Sequence, residues 1–226
     1  LPYRQVLDSL EFQLIRAKLK AQLDPPREAV AFFEASLADR KFLSESASHY
    51  GLAASLIRVK DYARARKELE ALRKLVPASP IVETLACALA YSAGEPGAAL
   101  ACYREALKTY PAYRALGYDY ANALLQARQP EAALQFVEGR LQVIADDYRL
   151  YLLQARSYAA LNQRLAQHRA QAEAYTRMGN VTAAVEQLQI GLKSGDGDFY
   201  QLSSAEARLR ELRQLDEELR KEAKKQ

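Results

Sequence analysis

One interval governs this chain. Pro77 closes the segment DYARARKELEALRKLVP, Pro111 closes EPGAALACYREALKTYP, and an equal step onward reaches Ala145 in QPEAALQFVEGRLQVIADD. Small residues keep the same interval. Ala53, Cys87, Ala121 and Ala155 form one series, and Ala65, Ala99 and Ala133 form a second. Bulky apolar residues follow the second series at Leu69, Tyr103 and Val137. A fixed period of about 34 residues marks a repeat array, in which each unit buries its apolar face on its neighbours. Lys60-Asp61, Gly94-Glu95-Pro96 and Gln129-Pro130 carry turn signals that split each unit into two helices. Pro96 and Pro130 suit a first helical turn, where a missing N–H costs nothing. The first small series lies midway along a first helix, where the second helix of the hairpin crosses closely.

Composition agrees with helix throughout. The chain has 226 residues, half of them apolar, with few Gly and Pro, and Ala and Leu are strong helix formers. Net charge is +4, with acidic and basic residues mixed along the chain. A nucleic-acid footprint needs its charge on one face, so nucleic acid is not an expected partner. No apolar run is long enough to span a bilayer and no signal peptide is evident. The chain starts at Leu1 without an initiator Met, which reads as a fragment or a processed product.

These in-register units resemble the tetratricopeptide (TPR) repeat family over at least residues 46–161. The resemblance implies an all-α, TPR-like α-α superhelix, a right-handed solenoid of helical hairpins forming a single domain over 1–226. Hairpins are expected at about 3–40, 46–77, 80–111 and 114–145. In the first, Ala17, Ala29 and Phe33 take the small, small and bulky places, with a two-residue insertion before the next unit. After Ala155 the phase breaks, because Ala172 takes the small place after only half an interval. An irregular helix over 148–162 is therefore expected to lack a standard partner. A hairpin over 164–194 follows, with Ala184 and Leu188 in its second helix. A long capping helix over 199–223 closes the array, its stripe formed by Leu202, Ala205, Leu209, Leu212 and Leu219.

In such an array first helices line a concave groove, and side chains about one turn from the small position face into it. That count selects Tyr50 and Arg58, then Thr84 and Tyr91, Tyr118 and Asn122, and Leu152 and Arg156 as groove residues for a protein or peptide partner. Ile57, Ala88 and Gln126 belong to the same lining. Tyrosines offer a flat ring with a hydroxyl, and Arg58 and Arg156 could grip a carboxylate. The Lys/Asn clamp of chaperone-tail-binding members is not reproduced: Asn122 has a suitable place, but its flanking lysines are missing. No metal or catalytic motif is present. His49 and His168 are the only histidines, and two distant ligands do not build a zinc site. Cys87 and Cys102 fall on the two helices of one hairpin; they are either buried free thiols or a possible disulfide.

A narrower resemblance lies in EFQLIRAKLKA, in HYGLAASLIRVKDYARARKEL and in the tail HRAQAEAYTRMGNVTAAVEQLQIGLKSGDGDFYQLSSAEARLREL. Together these look like the C-terminal half of periplasmic zinc metalloproteases of the β-barrel assembly-enhancing type, and the likeness covers essentially the whole chain. In that family an HExxH protease domain precedes the helical array. No HExxH occurs here, so the resemblance carries over no catalytic or metal residue, and zinc is expected only in a protease domain absent from this chain. It implies a bacterial periplasmic setting, in which a Cys87–Cys102 bridge is less remote. It also implies partners among the outer-membrane β-barrel assembly machinery and the protease domain of the same chain. The expectation is thus a non-catalytic interaction scaffold, the substrate- or partner-binding domain of such a protease. The alternative is a free-standing adaptor or assembly factor with no protease attached.

Overall fold

The structure is a computed structural model that describes residues 9–40 and 44–223. The start of the first expected hairpin, residues 3–8, lies outside the described residues. Among the described residues the chain forms twelve helices and no strand. It divides into two compact units, Leu1–Asp119 and Tyr120–Gln226. No helix among the described residues is long and apolar enough to cross a membrane.

The first unit holds α1 (Leu10–Leu23), α2 (Pro26–Ala38), α3 (Glu45–Arg58), α4 (Tyr62–Leu75), α5 (Pro80–Ser92), α6 (Pro96–Thr109) and the start of α7 (Arg114–Gln126). Starts are marked by side-chain caps or proline. Ser44 Oγ accepts from Ala47 N–H and Asp61 Oδ1 from Arg64 N–H, while Pro26, Pro80 and Pro96 occupy the first helical position. The unit is organised around α3, which packs closely against α1, α2 and α4, whereas its contact with α5 and the contact between α1 and α2 are light. α3 can accept neighbours all round because its buried residues are mostly small: Ser46, Ser48, Gly51, Ala53 and Ser55. Ser55 is fully buried, and its hydroxyl donates to the Gly51 carbonyl at 2.7 Å, so no polar group is orphaned there. The ring of Phe33, from α2, lies where a side chain at Gly51 would have to be: a Cβ built on Gly51 would sit 2.1 Å from the ring.

The second unit holds the rest of α7, α8 (Pro130–Val143), α9 (Tyr148–Ala160), α10 (Arg164–Arg177), α11 (Val181–Leu192) and α12 (Phe199–Ala223). α9, expected to lack a standard partner, packs against both α8 and α10. The turns explain why. Lys60, Gly94, Arg128 and Asn162 all have positive φ and recur at the interval of the small residues. Each follows the first helix of a hairpin and closes it with the same pair of bonds: at the last, Asn162 N–H donates to Ala159 O at 3.1 Å and Gln163 N–H to Tyr158 O at 3.0 Å. The backbone interval therefore runs through the α9–α10 turn. Only the small-residue signal fails there, since Gln167 stands one interval after Ala133. The next such turn, at Gly179, comes after half an interval. α10 is thus second helix to α9 and first helix to α11.

An ion network joins α9, α10 and α12. Arg208 of α12 donates to Glu173 of α10 at 2.9 Å, and Arg177 donates to the same carboxylate at 2.7 Å. Arg177 also reaches Tyr151 Oη of α9 at 2.9 Å and the Ala145 carbonyl at 2.8 Å. α12 buries Ala205, Leu209 and Leu212 on α11. The expected stripe stops there, because Leu219 is 43% exposed: the helix outruns the surface it covers.

Two outcomes follow from this packing. Gly51→Ala should destabilise the first unit by about 1–3 kcal/mol through overpacking against Phe33, measured by urea unfolding, with Phe33→Leu in the same chain restoring part of the loss. For Glu173, burial would raise the carboxyl, but hydrogen bonds from Arg177 and Arg208 outweigh it and hold it below the usual range. Its contribution is therefore present above the unfolded value of about 4.3 and lost as pH falls through the lower folded value. Glu173→Gln should cost about 1.5–3 kcal/mol at pH 7 and flatten the fall of the thermal midpoint below about pH 4.

Candidate protein-binding cleft

A cleft of about 420 Å³ opens on the first unit. Its walls come from first helices of successive hairpins: Lys18, Ala21 and Gln22 of α1, Tyr50, Ala54, Ile57 and Arg58 of α3, Thr84, Leu85 and Ala88 of α5, and Asp119 of α7. The lining is mainly apolar and small, with three charged groups at its edges.

The expected groove residues meet different fates. Tyr50 is a core residue, 1% exposed. Burial first, then Tyr113 and Asp119 nearby, pushes its hydroxyl well above the ordinary tyrosine value. Thr84 is 4% exposed, and its hydroxyl donates to the Pro80 carbonyl at 2.7 Å. The Thr84 hydroxyl is thereby committed to its own helix. Both stand three residues before the small position, and that side of the helix is buried among neighbouring helices. Both still contribute to the wall, together with the expected Ile57 and Ala88, and the wall also takes in Ala54, one residue after the small position, and Leu85 and Asp119, two before it. Tyr91 and Tyr118 are half-buried and do not line this cleft.

Arg58 lines the cleft but is not free to grip a carboxylate. Its guanidinium donates to the carbonyls of Ala21 and Asp24, the latter at 2.8 Å, and so satisfies the C-terminal end of α1. In the second unit, Arg156 donates to Asn122 Oδ1 at 2.5 Å, so those two expected contact residues bond each other. Leu152 is half-buried beside them on α9. His49 Nδ1 lies 2.7 Å from Glu68 and His168 Nδ1 lies 2.8 Å from Gln187. Both histidines stand four residues before a small position and bridge to the second helix of their own hairpin.

Asp119 escaped the sequence reading. Burial raises its carboxyl, with Lys18 pulling the other way. Among the described residues it accepts no hydrogen bond. The available signal was an acid in the middle of RALGYDYANALLQ, a first helix with no other acid. It lay one residue away from the positions counted as groove.

With the hairpin geometry in place, comparison with known proteins is informative. The tetratricopeptide-repeat family matches residues 90–157. Two solved structures of MamA, a double mutant and the protein from Desulfovibrio magneticus RS-1, superpose with a TM-score of 0.51 at 16% identity, over 76% of this chain and 97% and 96% of theirs. The chain has the tetratricopeptide-repeat fold. In sequence, the chain is similar to the β-barrel assembly-enhancing proteases of Escherichia coli K12, 29% identical over 175 residues, and Yersinia pestis, 30% identical over 180 residues. Those matches cover 76% and 77% of this chain but only 35% and 36% of the relatives, so the chain spans about a third of their length.

The two cysteines of the first unit are joined. Cys87 of α5 and Cys102 of α6 form a disulfide, with Cα atoms 5.4 Å apart, and no free cysteine remains. This decides between the two readings the sequence left open: the small position of one helix meets the facing side of its partner closely enough for a bridge. Fifteen residues separate the two cysteines, and closing a loop of that size stabilises by about 3 kcal/mol. Reduction should therefore lower the thermal midpoint of the native chain while leaving a Cys87→Ala/Cys102→Ala variant unmoved, followed by circular dichroism with and without reductant.

Proposed function

We propose that this TPR chain is the partner-binding domain of a larger zinc metalloprotease of the bacterial periplasm. It would act in the assembly and quality control of outer-membrane β-barrel proteins. The observation that carries the reading is the cleft on the first unit, a concave surface built from first helices and lined by apolar and small side chains, suited to holding polypeptide. Similarity to two β-barrel assembly-enhancing proteases supports the setting, since it runs along three-quarters of this chain and only a third of theirs. On this reading the proteolytic chemistry and its zinc belong to the remainder of such a protein, and this chain contributes recognition. The Cys87–Cys102 bridge supports a compartment outside the cytosol, where disulfides persist. The expected contacts Tyr91 and Tyr118 belong to the same unit and lie outside the cleft lining.

The test fills the cleft without disturbing the core. Ala88 is half-buried and lines the cleft, so Ala88→Trp should weaken binding of a fluorescently labelled, urea-unfolded outer-membrane β-barrel protein at least tenfold, read by anisotropy, with the thermal midpoint preserved. Unchanged binding would remove the cleft from the proposal. For the protease setting, the reading frame upstream of Leu1 should encode an HExxH sequence. A secretion signal immediately before Leu1 would turn the reading to a free-standing adaptor.

A further inference from the structure

The charges around the cleft are unequally placed. Two cations stand at its edge, and Arg58 is committed to the Ala21 and Asp24 carbonyls. That leaves Lys18, which is half-buried on α1. Among the described residues the lining holds one acid, Asp119, and its carboxylate accepts no hydrogen bond from them. Asp119 is half-buried, and a charged donor is its best partner, because charge-assisted bonds are about twice as strong as neutral ones. The walls between these groups are Ala54, Ile57, Leu85 and Ala88. They suit an alkyl stem. Long basic side chains have that shape, an apolar stem with a charged tip.

We propose that the cleft captures an extended polypeptide by taking in one lysine or arginine side chain, whose head pairs with Asp119 while its stem lies along Ala54, Ile57 and Ala88. This rests on the reading of the cleft as a polypeptide site and reverses the charge preference that Arg58 suggested: the selected residue of the partner is basic, not acidic. Lys18 sets the threshold. It already attracts Asp119, so an incoming head must compete with it, and removing Lys18 strengthens capture.

The experiment uses the full chain and three blocked pentapeptides of sequence Ala-Leu-X-Leu-Ala, with X as lysine, norleucine or glutamate, titrated at low salt and followed by calorimetry and amide chemical shifts. The lysine peptide should bind at least tenfold more tightly than the norleucine peptide, and the glutamate peptide more weakly than either. Asp119→Asn, which keeps size and polarity, should erase the lysine preference. Asp119→Glu should retain part of it, and Lys18→Met should increase it. Equal binding of the lysine and norleucine peptides by the native chain, or a lysine preference that survives in Asp119→Asn, overturns the proposal; these readouts need no variant that fails to fold. If neither peptide binds, the proposal also falls. The cleft reading is judged separately, because Ala88→Trp still must weaken binding of the unfolded β-barrel protein for that reading to stand.

Discussion

The structure depends on how closely two helices of a hairpin can cross. Helix axes pack about 8–10 Å apart, and the side chains at the crossing set that distance. At Ala53, Cys87, Ala121 and Ala155 on first helices, and Ala65, Ala99 and Ala133 on second helices, the crossing residue is small and essentially inaccessible. Larger side chains such as Phe33, Leu69, Tyr103 and Val137 then fill the flanking space, and all are buried. A bulky substitution at a small position would separate the helices and open the space those side chains fill. The disulfide exists for the same reason: Cys87 occupies a small position, so the partner helix comes near enough to be bridged.

The same constraint shapes the candidate site. Residues three before each small position, Tyr50 and Thr84, are almost wholly buried and form the floor side of the lining rather than protruding contacts. What remains on the surface between α1, α3 and α5 is a shallow strip of Ala54, Ile57, Leu85 and Ala88, bounded by Lys18, Arg58 and Asp119. A polypeptide-binding role and a well-packed scaffold are therefore not competing demands. The cleft is what close packing leaves open when lining residues are small. Arg58 shows the division of labour: it stands at the cleft, yet its hydrogen bonds hold the end of α1.

The point where the interval fails is equally physical. A hairpin needs a turn that reverses the chain and a face on which the next helix can lie. At Asn162 the turn is intact, with the same bonds as at Lys60, Gly94 and Arg128. The small residue that should follow is replaced by Gln167, and α10 instead offers Ala170, Ala172 and Ala174 as buried small positions. With small residues to offer, one helix can lie against two neighbours, and α10 packs against both α9 and α11. Glu173 then ties it to α12 through Arg208.

The sequence alone determined the helical class, the hairpin unit and the positions of closest crossing, because those follow from residue size recurring at a fixed interval, and size is legible in a string. It also located the turns, whose signals are local. The direction in which each side chain faces was decided only by tertiary structure. A shift of one residue on a helix turns a side chain by about 100°, enough to bring Asp119 from an uncounted position into the cleft. Hydrogen-bond commitments between distant residues, such as Arg58 with the end of α1 and Arg156 with Asn122, were likewise invisible, since they depend on which helices become neighbours. Whether Cys87 and Cys102 were thiols or a bridge turned on a Cα separation of 5.4 Å, and distance across a hairpin is a property of the fold.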